Sequence, residues 1–263
     1  MSNQTYYKDH WVAIEEDRLN RYEDMFKWTP ATELLLEPAA VEEGHVVADV
    51  GCGPGFVAVE LAKRVGPAGH VHAFDINADF VARTQARAAR EGLSSRLTAH
   101  QLTGAELPLA DDALDRLINK NVMVYVDDPA ESFQEFHRAV KPGGLVHVVD
   151  SDFFMTVVDP IPADRWRALL DAAIHAFRTP SIGRQLFGLA TRTGFSEVDV
   201  QIVANPDTHG RMLHFVNNVA GYARDGGDLD EAEIQAIVQI ATDALTKGRF
   251  FALNPQFMVT SRV

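Results

Sequence analysis

The chain has a single cysteine, Cys52, in 263 residues. No disulfide within it is possible, so its stability must come from packing. Positive charge is scarce as well: 24 Lys and Arg face 37 Asp and Glu, a net charge of −13. Nucleic-acid affinity needs clustered cations that neutralise phosphates, so duplex DNA and tRNA are disfavoured as substrates. An anionic membrane surface is disfavoured on the same ground. No apolar run reaches membrane-spanning length, and no cationic start leads into an apolar stretch. Repeats and Gly/Ser linkers are missing, and the histidines lack metal-ligand spacing, so no metal is expected. These absences leave a soluble, cytoplasmic protein, monomer or homodimer. Its expected partner is a small molecule, not nucleic acid or membrane.

Hydrophobic residues make up 46% of the chain, enough for a substantial core in one α/β domain. Residues 1–40 read as helical. Trp11, Ile14, Arg18/Leu19, Tyr22 and Met25/Phe26 recur at three-to-four spacing, and Pro30 and Pro38 bracket a short second helix around 34–36. An alternation follows. Apolar runs at 46–50, 70–75, 96–102, 114–119 and 145–150 predict strands. Helical patterns at 55–65, 78–91 and 130–140 lie between them, with Pro142-Gly143-Gly144 as a turn. This rhythm predicts βαβ units and a parallel sheet covered by helices on both faces. Beyond residue 150, helical patterns at 163–177, 182–193, 211–223 and 230–246 surround a sixth strand at 196–204 and a last one at 257–261. The expected fold is a single Rossmann-like, doubly wound α/β domain over 1–263, with seven strands and the last antiparallel. Within it, 1–40 is a helical lid, 41–150 the cofactor-binding core, 151–249 strand six with a helical substrate cap, and 250–263 the final strand. The extra helices are expected to cap the carboxyl ends of the strands, where open α/β sheets bind ligands.

The most informative stretch is VVADVGCGPGFV, residues 46–57. Glycine-rich turns after a buried strand bind nucleotides. Against the dinucleotide template G-x-G-x-x-G, the third glycine, Gly55, comes one place early and Phe56 takes its position. Pro54 removes an N–H that pyrophosphate would need. No Lys-Ser/Thr pair follows, so the loop is not a P-loop. Asp49 before the loop would repel pyrophosphate and welcome a cation. Asp75, 24 residues after Gly51, ends the second strand, where an acid accepts from both ribose hydroxyls. A ribose, a positive group and no phosphates describe S-adenosylmethionine.

Further motifs, in order, make the chain resemble a class I S-adenosylmethionine-dependent methyltransferase. The resemblance is to the small-molecule type that includes the ubiquinone/menaquinone-biosynthesis methyltransferases. DVGCGPG at 49–55 resembles the family's first motif and HVHAFDIN at 70–77 its second. GAELP at 104–108 resembles the adenine-flanking stretch, and RAVKPGG at 138–144 the turn before the fifth strand. The resemblance implies cofactor contacts from Asp49, Gly51, Cys52, Gly53, Gly55, Asp75, Ile76, Gly104, Ala105, Glu106, Asn119 and Lys120. Gly104 stands where the family often has an aspartate, which shifts adenine recognition to backbone groups or Glu106. The Cys52 thiol itself reads as a packing group. The expected reaction is methyl transfer to an apolar or aromatic acceptor, at oxygen or carbon; a base is needed if the acceptor is a hydroxyl, an amine cation or an acidic carbon. The candidates are His214, His209, Asp152 and Tyr125, the last standing where the family often carries a histidine. Tyr6, Tyr7 and Trp11 are placed to close over the pocket. Two alternatives remain: an NAD-dependent oxidoreductase, which Pro54 and Phe56 oppose, and a protein that binds S-adenosylmethionine without transferring its methyl group.

Overall fold

A computed structural model describes residues 5–263; the first four residues of the expected lid lie outside it. Three short helices, α1 (Tyr6–Val12), α2 (Glu16–Met25) and α3 (Pro30–Leu36), precede the sheet. The apolar stripe expected over 11–26 is therefore broken. Ala13 and Glu15 have extended backbone, so α1 and α2 are separate bodies joined by a short strap.

The alternation then runs as expected. Its elements are β1 (Val46–Val50), α4 (Phe56–Arg64), β2 (His70–Asp75), α5 (Ala78–Arg90), β3 (Leu97–Gln101), β4 (Leu114–Lys120), α6 (Pro129–Ala139) and β5 (Val140–Ser151). Strands β1 to β5 pair in parallel. The helices begin where side chains satisfy their first N–H groups. The Asn77 side chain accepts from Phe80, and Asp128 accepts from Ala130 and Glu131 with Pro129 in the first turn. Pro142-Gly143-Gly144 is not a turn outside the strand. β5 already starts at Val140 and absorbs the three residues as an irregularity, its register passing from Val140 opposite Leu114 to Leu145 opposite Arg116.

The second half comprises β6 (Val157–Asp159), α7 (Ala163–Ala172), α8 (Ile182–Thr193), β7 (Ser196–Val203), α9 (Leu213–Gly226), α10 (Glu231–Thr246), β8 (Phe251–Leu253) and β9 (Gln256–Arg262). The main sheet has the order β3-β2-β1-β4-β5-β9-β7, with β9 antiparallel to both neighbours. This is the seven-stranded Rossmann-like sheet with its last strand antiparallel. Two features differ from the sequence reading. α8 covers the sheet rather than the cap: a Cβ on its Gly183 would meet Phe257 of β9 and the backbone at Ser151 and Asp152 within 3.0 Å. β6 and β8 form a separate antiparallel ribbon tying the start of the cap to its end, in strands too short to show a period of two.

One face of the sheet (Phe74, Leu117, Val148) packs in the same apolar cluster as Trp166 of α7, Val216 of α9 and Ile234 of α10. The other face packs against α4 and α5. The cap helices thus share a core with the sheet.

Candidate active site

The three loop glycines, Gly51, Gly53 and Gly55, all have left-handed φ, at +78, +52 and +85°. They serve different ends. A Cβ on Gly51 would lie 2.1 Å from a Val122 methyl, just past β4. One on Gly55 would lie 2.5 Å from the Thr84 hydroxyl and 2.9 Å from its Cα. Those two glycines let the exit of β4 and helix α5 close in. Around Gly53 only Phe26 comes near, at 3.9 Å, which leaves ground open to a ligand. Gly55→Ala is expected to cost about 2–4 kcal/mol, because it combines a strained φ with a clash against helix backbone. A thermal melt would read the loss; an unchanged midpoint would contradict this packing role.

Asp49 is buried at the end of β1. It accepts from the Ala58 N–H in the first turn of α4, while its Oδ2 has no partner among the described residues. Burial, reinforced by the Asp75 charge and opposed by Lys120, pushes its pKa up to about 7. Asp75 reaches back over the loop. Its Oδ2 accepts from Gly53 N–H at 2.8 Å and its Oδ1 from Asn77 N–H at 2.9 Å. Burial raises its pKa, against these bonds and one from Ile76 N–H.

At the end of β4, Asn119 donates to the Val50 carbonyl at 3.0 Å. Its own amide oxygen, and that of Asn121, are buried without partners. Lys120 sits between the fields of Asp150 and Asp49, and burial lowers its pKa. Asp150, at the end of β5, is pushed up to about 7 by burial although it accepts from the Ser151 and Val124 N–H groups. Three buried oxygens, Asp49 Oδ2, Asn119 Oδ1 and Asn121 Oδ1, therefore wait for donors at the carboxyl ends of β1 and β4. Gly104, Ala105 and Glu106 lie further along, beside Pro108 and Glu131, in an open hollow of about 450 Å³.

The family described as methyltransferase domain matches residues 47–144. The methyltransferase GfsG of Streptomyces halstedii is 35% identical over 155 residues, 59% of this chain and 52% of that protein. The 2-phytyl-1,4-naphtoquinone methyltransferase of Nostoc punctiforme is 22% identical over 222 residues, 78% of this chain and 95% of that one. This chain thus spans about half of the first relative and nearly all of the second. A crystal structure of an S-adenosylmethionine-dependent methyltransferase from Aquifex aeolicus superposes with a TM-score of 0.55 at 20% identity, covering 73% of this chain and 93% of that one. Residues 47–144 thus match a methyltransferase domain, and the chain has the fold of the class I S-adenosylmethionine-dependent methyltransferases.

The residues of this site fit S-adenosylmethionine. The unpartnered oxygens suit a ligand carrying a sulfonium and an ammonium, and the open side of Gly53 admits it beside Asp75. Cys52 contributes less than its position in the motif implies. Its N–H already donates to the Phe74 carbonyl at 2.9 Å, and its thiol faces Thr84. Burial raises the thiol's pKa and keeps it protonated.

The lid is docked over the loop. Asn77 donates to the carbonyls of Trp11 and Val12 at 2.8 and 3.3 Å. Glu23 of α2 forms ion pairs with both Arg83 and Arg87 of α5. Arg87 also donates to the Pro54 carbonyl at 3.0 Å and lies 3.5 Å over the Phe56 ring. The phenylalanine that spoils the dinucleotide motif is therefore a platform for the arginine that holds lid and loop together. Glu23→Ala is expected to loosen the lid by about 1 kcal/mol. Proteolysis within residues 13–29 should quicken several-fold while the global melt hardly moves; equal cleavage rates would contradict the latch.

The four expected bases fare differently. Tyr125 is at the site, in a 3₁₀ turn after β4, with its ring 5.0 Å from Trp11 and 6.0 Å from Phe177. Burial raises its pKa, which favours the protonated hydroxyl. Asp152 is fully buried and occupied. It accepts from Phe154 N–H at 3.1 Å and pairs with Arg184 of α8, which makes it a structural anchor. His209 and His214 are both exposed, just before and on the first turn of α9. Sequence reasoning passed over His10 and Arg18 in the lid. The signal available was the four-residue step from Tyr6 to His10, which stacks their rings on one face of α1.

Proposed function

We propose that this methyltransferase carries a methyl group from S-adenosylmethionine to the oxygen or carbon of a small apolar or aromatic acceptor. The observation that carries the reading is the buried Asp49 Oδ2 without a partner, beside two equally unpartnered amide oxygens. Such a set costs free energy unless a cation with N–H donors fills it. When bound, the cofactor supplies a methyl group already activated on a positive sulfur, so positioning is most of what the protein must add. Asp49 and the Asn119 and Asn121 amides hold the charged end, Asp75 the ribose, and the 104–106 segment the adenine. The lid and aromatic cap exclude water from the reacting atoms. An acidic protein suits a small molecule better than nucleic acid or a membrane, and lid, core and cap act as one domain over 1–263. No helix among the described residues is long and apolar enough to cross a membrane.

Calorimetry with S-adenosylhomocysteine and with NADH tests the donor site: the first should bind and the second should not. A panel of small metabolites, screened by mass spectrometry for the gain of one methyl group, tests the transfer. Cofactor binding with no methylated product across aromatic and apolar acceptors would favour a binding role without transfer.

A further inference from the structure

His10 lies on α1 and is buried at 2% exposure. Its Nδ1 faces the Tyr6 carbonyl oxygen, which can only accept, so Nδ1 carries the proton. Nε2 is then a bare lone pair, and it has no partner. Desolvation, aided by Arg18 and His175 and opposed by Asp225, lowers the ring's pKa to about 4, so it is neutral at neutral pH. The ring is walled by Tyr6, Trp11, Tyr125 and Tyr222, with centroids 5.0 to 5.8 Å away.

Arg18 of α2 adds a cation to the same wall. It donates through Nε to the Tyr22 hydroxyl at 2.9 Å, and its guanidinium carbon lies 5.9 Å from the Trp11 ring centroid. Its Nη2 is buried without an acceptor. A lone pair and an unpaired cationic donor thus both belong to side chains packed on Trp11, with Tyr125 beside His10 at the exit of β4. Each side chain is held through its other nitrogen, His10 by Nδ1 on the Tyr6 carbonyl and Arg18 by Nε on the Tyr22 hydroxyl. A buried polar group left unsatisfied weakens the fold unless a ligand completes it.

We infer that the lid face around Trp11, where α1 and α2 pack together, takes an aromatic acceptor bearing a hydroxyl group, with His10 Nε2 receiving the hydroxyl proton and Arg18 Nη2 holding the oxygen as it gains charge. The assignment rests on the methyl-transfer reading above. The acceptor's O–H bond breaks toward His10, and the oxygen's electron pair forms the bond to the methyl carbon. The carbon–sulfur bond breaks with its pair left on sulfur, giving S-adenosylhomocysteine and the methyl ether. His10 later returns the proton to water when the strap at residues 13–15 lets α1 lift. Apolar walls suit the ring of the acceptor, and exclusion of water strengthens both polar contacts.

The test compares 2-naphthol with 2-methylnaphthalene, which has nearly the same shape and no hydroxyl. Both are titrated by tryptophan fluorescence into the protein saturated with S-adenosylhomocysteine. Wild type should prefer 2-naphthol at least tenfold. His10→Phe should abolish the preference, and Arg18→Met should reduce it several-fold. His10→Gln, which can accept a hydrogen bond but not a proton, should keep most of the preference. It should also slow methylation of 2-naphthol at least a hundredfold. Circular dichroism melts check that each variant folds. Equal binding of the two probes to wild type, no binding of either, or a preference that survives His10→Phe would each overturn the acceptor-site assignment. Undiminished turnover in His10→Gln would overturn the proton transfer. Failure of S-adenosylhomocysteine itself to bind would instead count against the donor-site reading.

Discussion

Asp49→Asn is expected to make the protein more stable at pH 8 and to cripple cofactor binding. The sign follows from linkage. The unperturbed carboxyl titrates at 3.8, and in the folded chain it is pushed up to about 7. The folded state therefore holds a proton that the unfolded state releases. Stability drains away as pH rises from about 4 to about 7, and above that the penalty is complete. Three units correspond to about 4 kcal/mol. Asparagine removes this penalty, keeps an oxygen for the Ala58 N–H, and leaves a buried amide N–H₂ at a cost of about 1–2 kcal/mol. A net gain of about 2 kcal/mol should appear as a higher melting temperature at pH 8 and reverse near pH 4 to a loss of about 1–2 kcal/mol, the amide cost alone. Affinity for S-adenosylmethionine should fall at least tenfold, since a neutral amide answers a cation poorly. The same coupling predicts that wild type releases a proton on binding the cofactor at pH 6 to 7, and that affinity rises with pH over that range. Calorimetry in buffers of different ionisation enthalpy measures the proton directly. A less stable Asn variant at pH 8, or binding without proton release, would contradict the assignment.

Asp75→Ala should weaken binding of S-adenosylhomocysteine by about a hundredfold, the scale of losing charge-assisted bonds to a diol. Its effect on the fold should be small. The change frees the Gly53 and Asn77 N–H groups, but it also removes a carboxylate that burial already disfavours. The melting temperature should stay within a few degrees of wild type. An unchanged affinity by calorimetry would show that Asp75 only pins the loop and does not hold the ribose. Asp75→Asn separates the two roles, since it keeps one acceptor for Gly53 while losing the charge.

The parts of the site legible in the sequence are those whose physics is local. The Gly51-x-Gly53-x-Gly55 loop announces itself because left-handed φ values admit little else. Asp49 and Asp75 are readable because each ends a short apolar run. Phe56 was legible only as a misfit: its partner Arg87 lies a full βα unit away, and no local pattern links them. The Arg184 partner of Asp152 was hidden for the same reason, because it arrives on a helix assigned to the cap. The break between α1 and α2 contains no proline or glycine. It follows instead from Asn77, whose amide takes the Trp11 and Val12 carbonyls at the end of α1. His10 was hidden because a lone histidine on an aromatic face usually belongs to a core. Only its unpartnered nitrogen, a property of the folded state, marks it out.

The position of β9 bears on how the chain reaches this state. β7 pairs with no strand of the main sheet except β9, and β9 follows it only after α9, α10 and β8. As the polypeptide leaves a ribosome, β1 to β5 can align in the order in which they emerge, while β7 waits as an orphan strand and β5 remains a raw edge. That side of the sheet then closes in one late step, when β9 slides between them and reverses direction against both. Such a step depends on contacts far apart in sequence and is slow. It leaves an exposed apolar edge during synthesis, the form of intermediate on which chaperones act and from which aggregation starts. The cofactor half is a candidate to gain order while the acceptor half is still incomplete, so the nascent chain would present its donor site before it has anything to methylate.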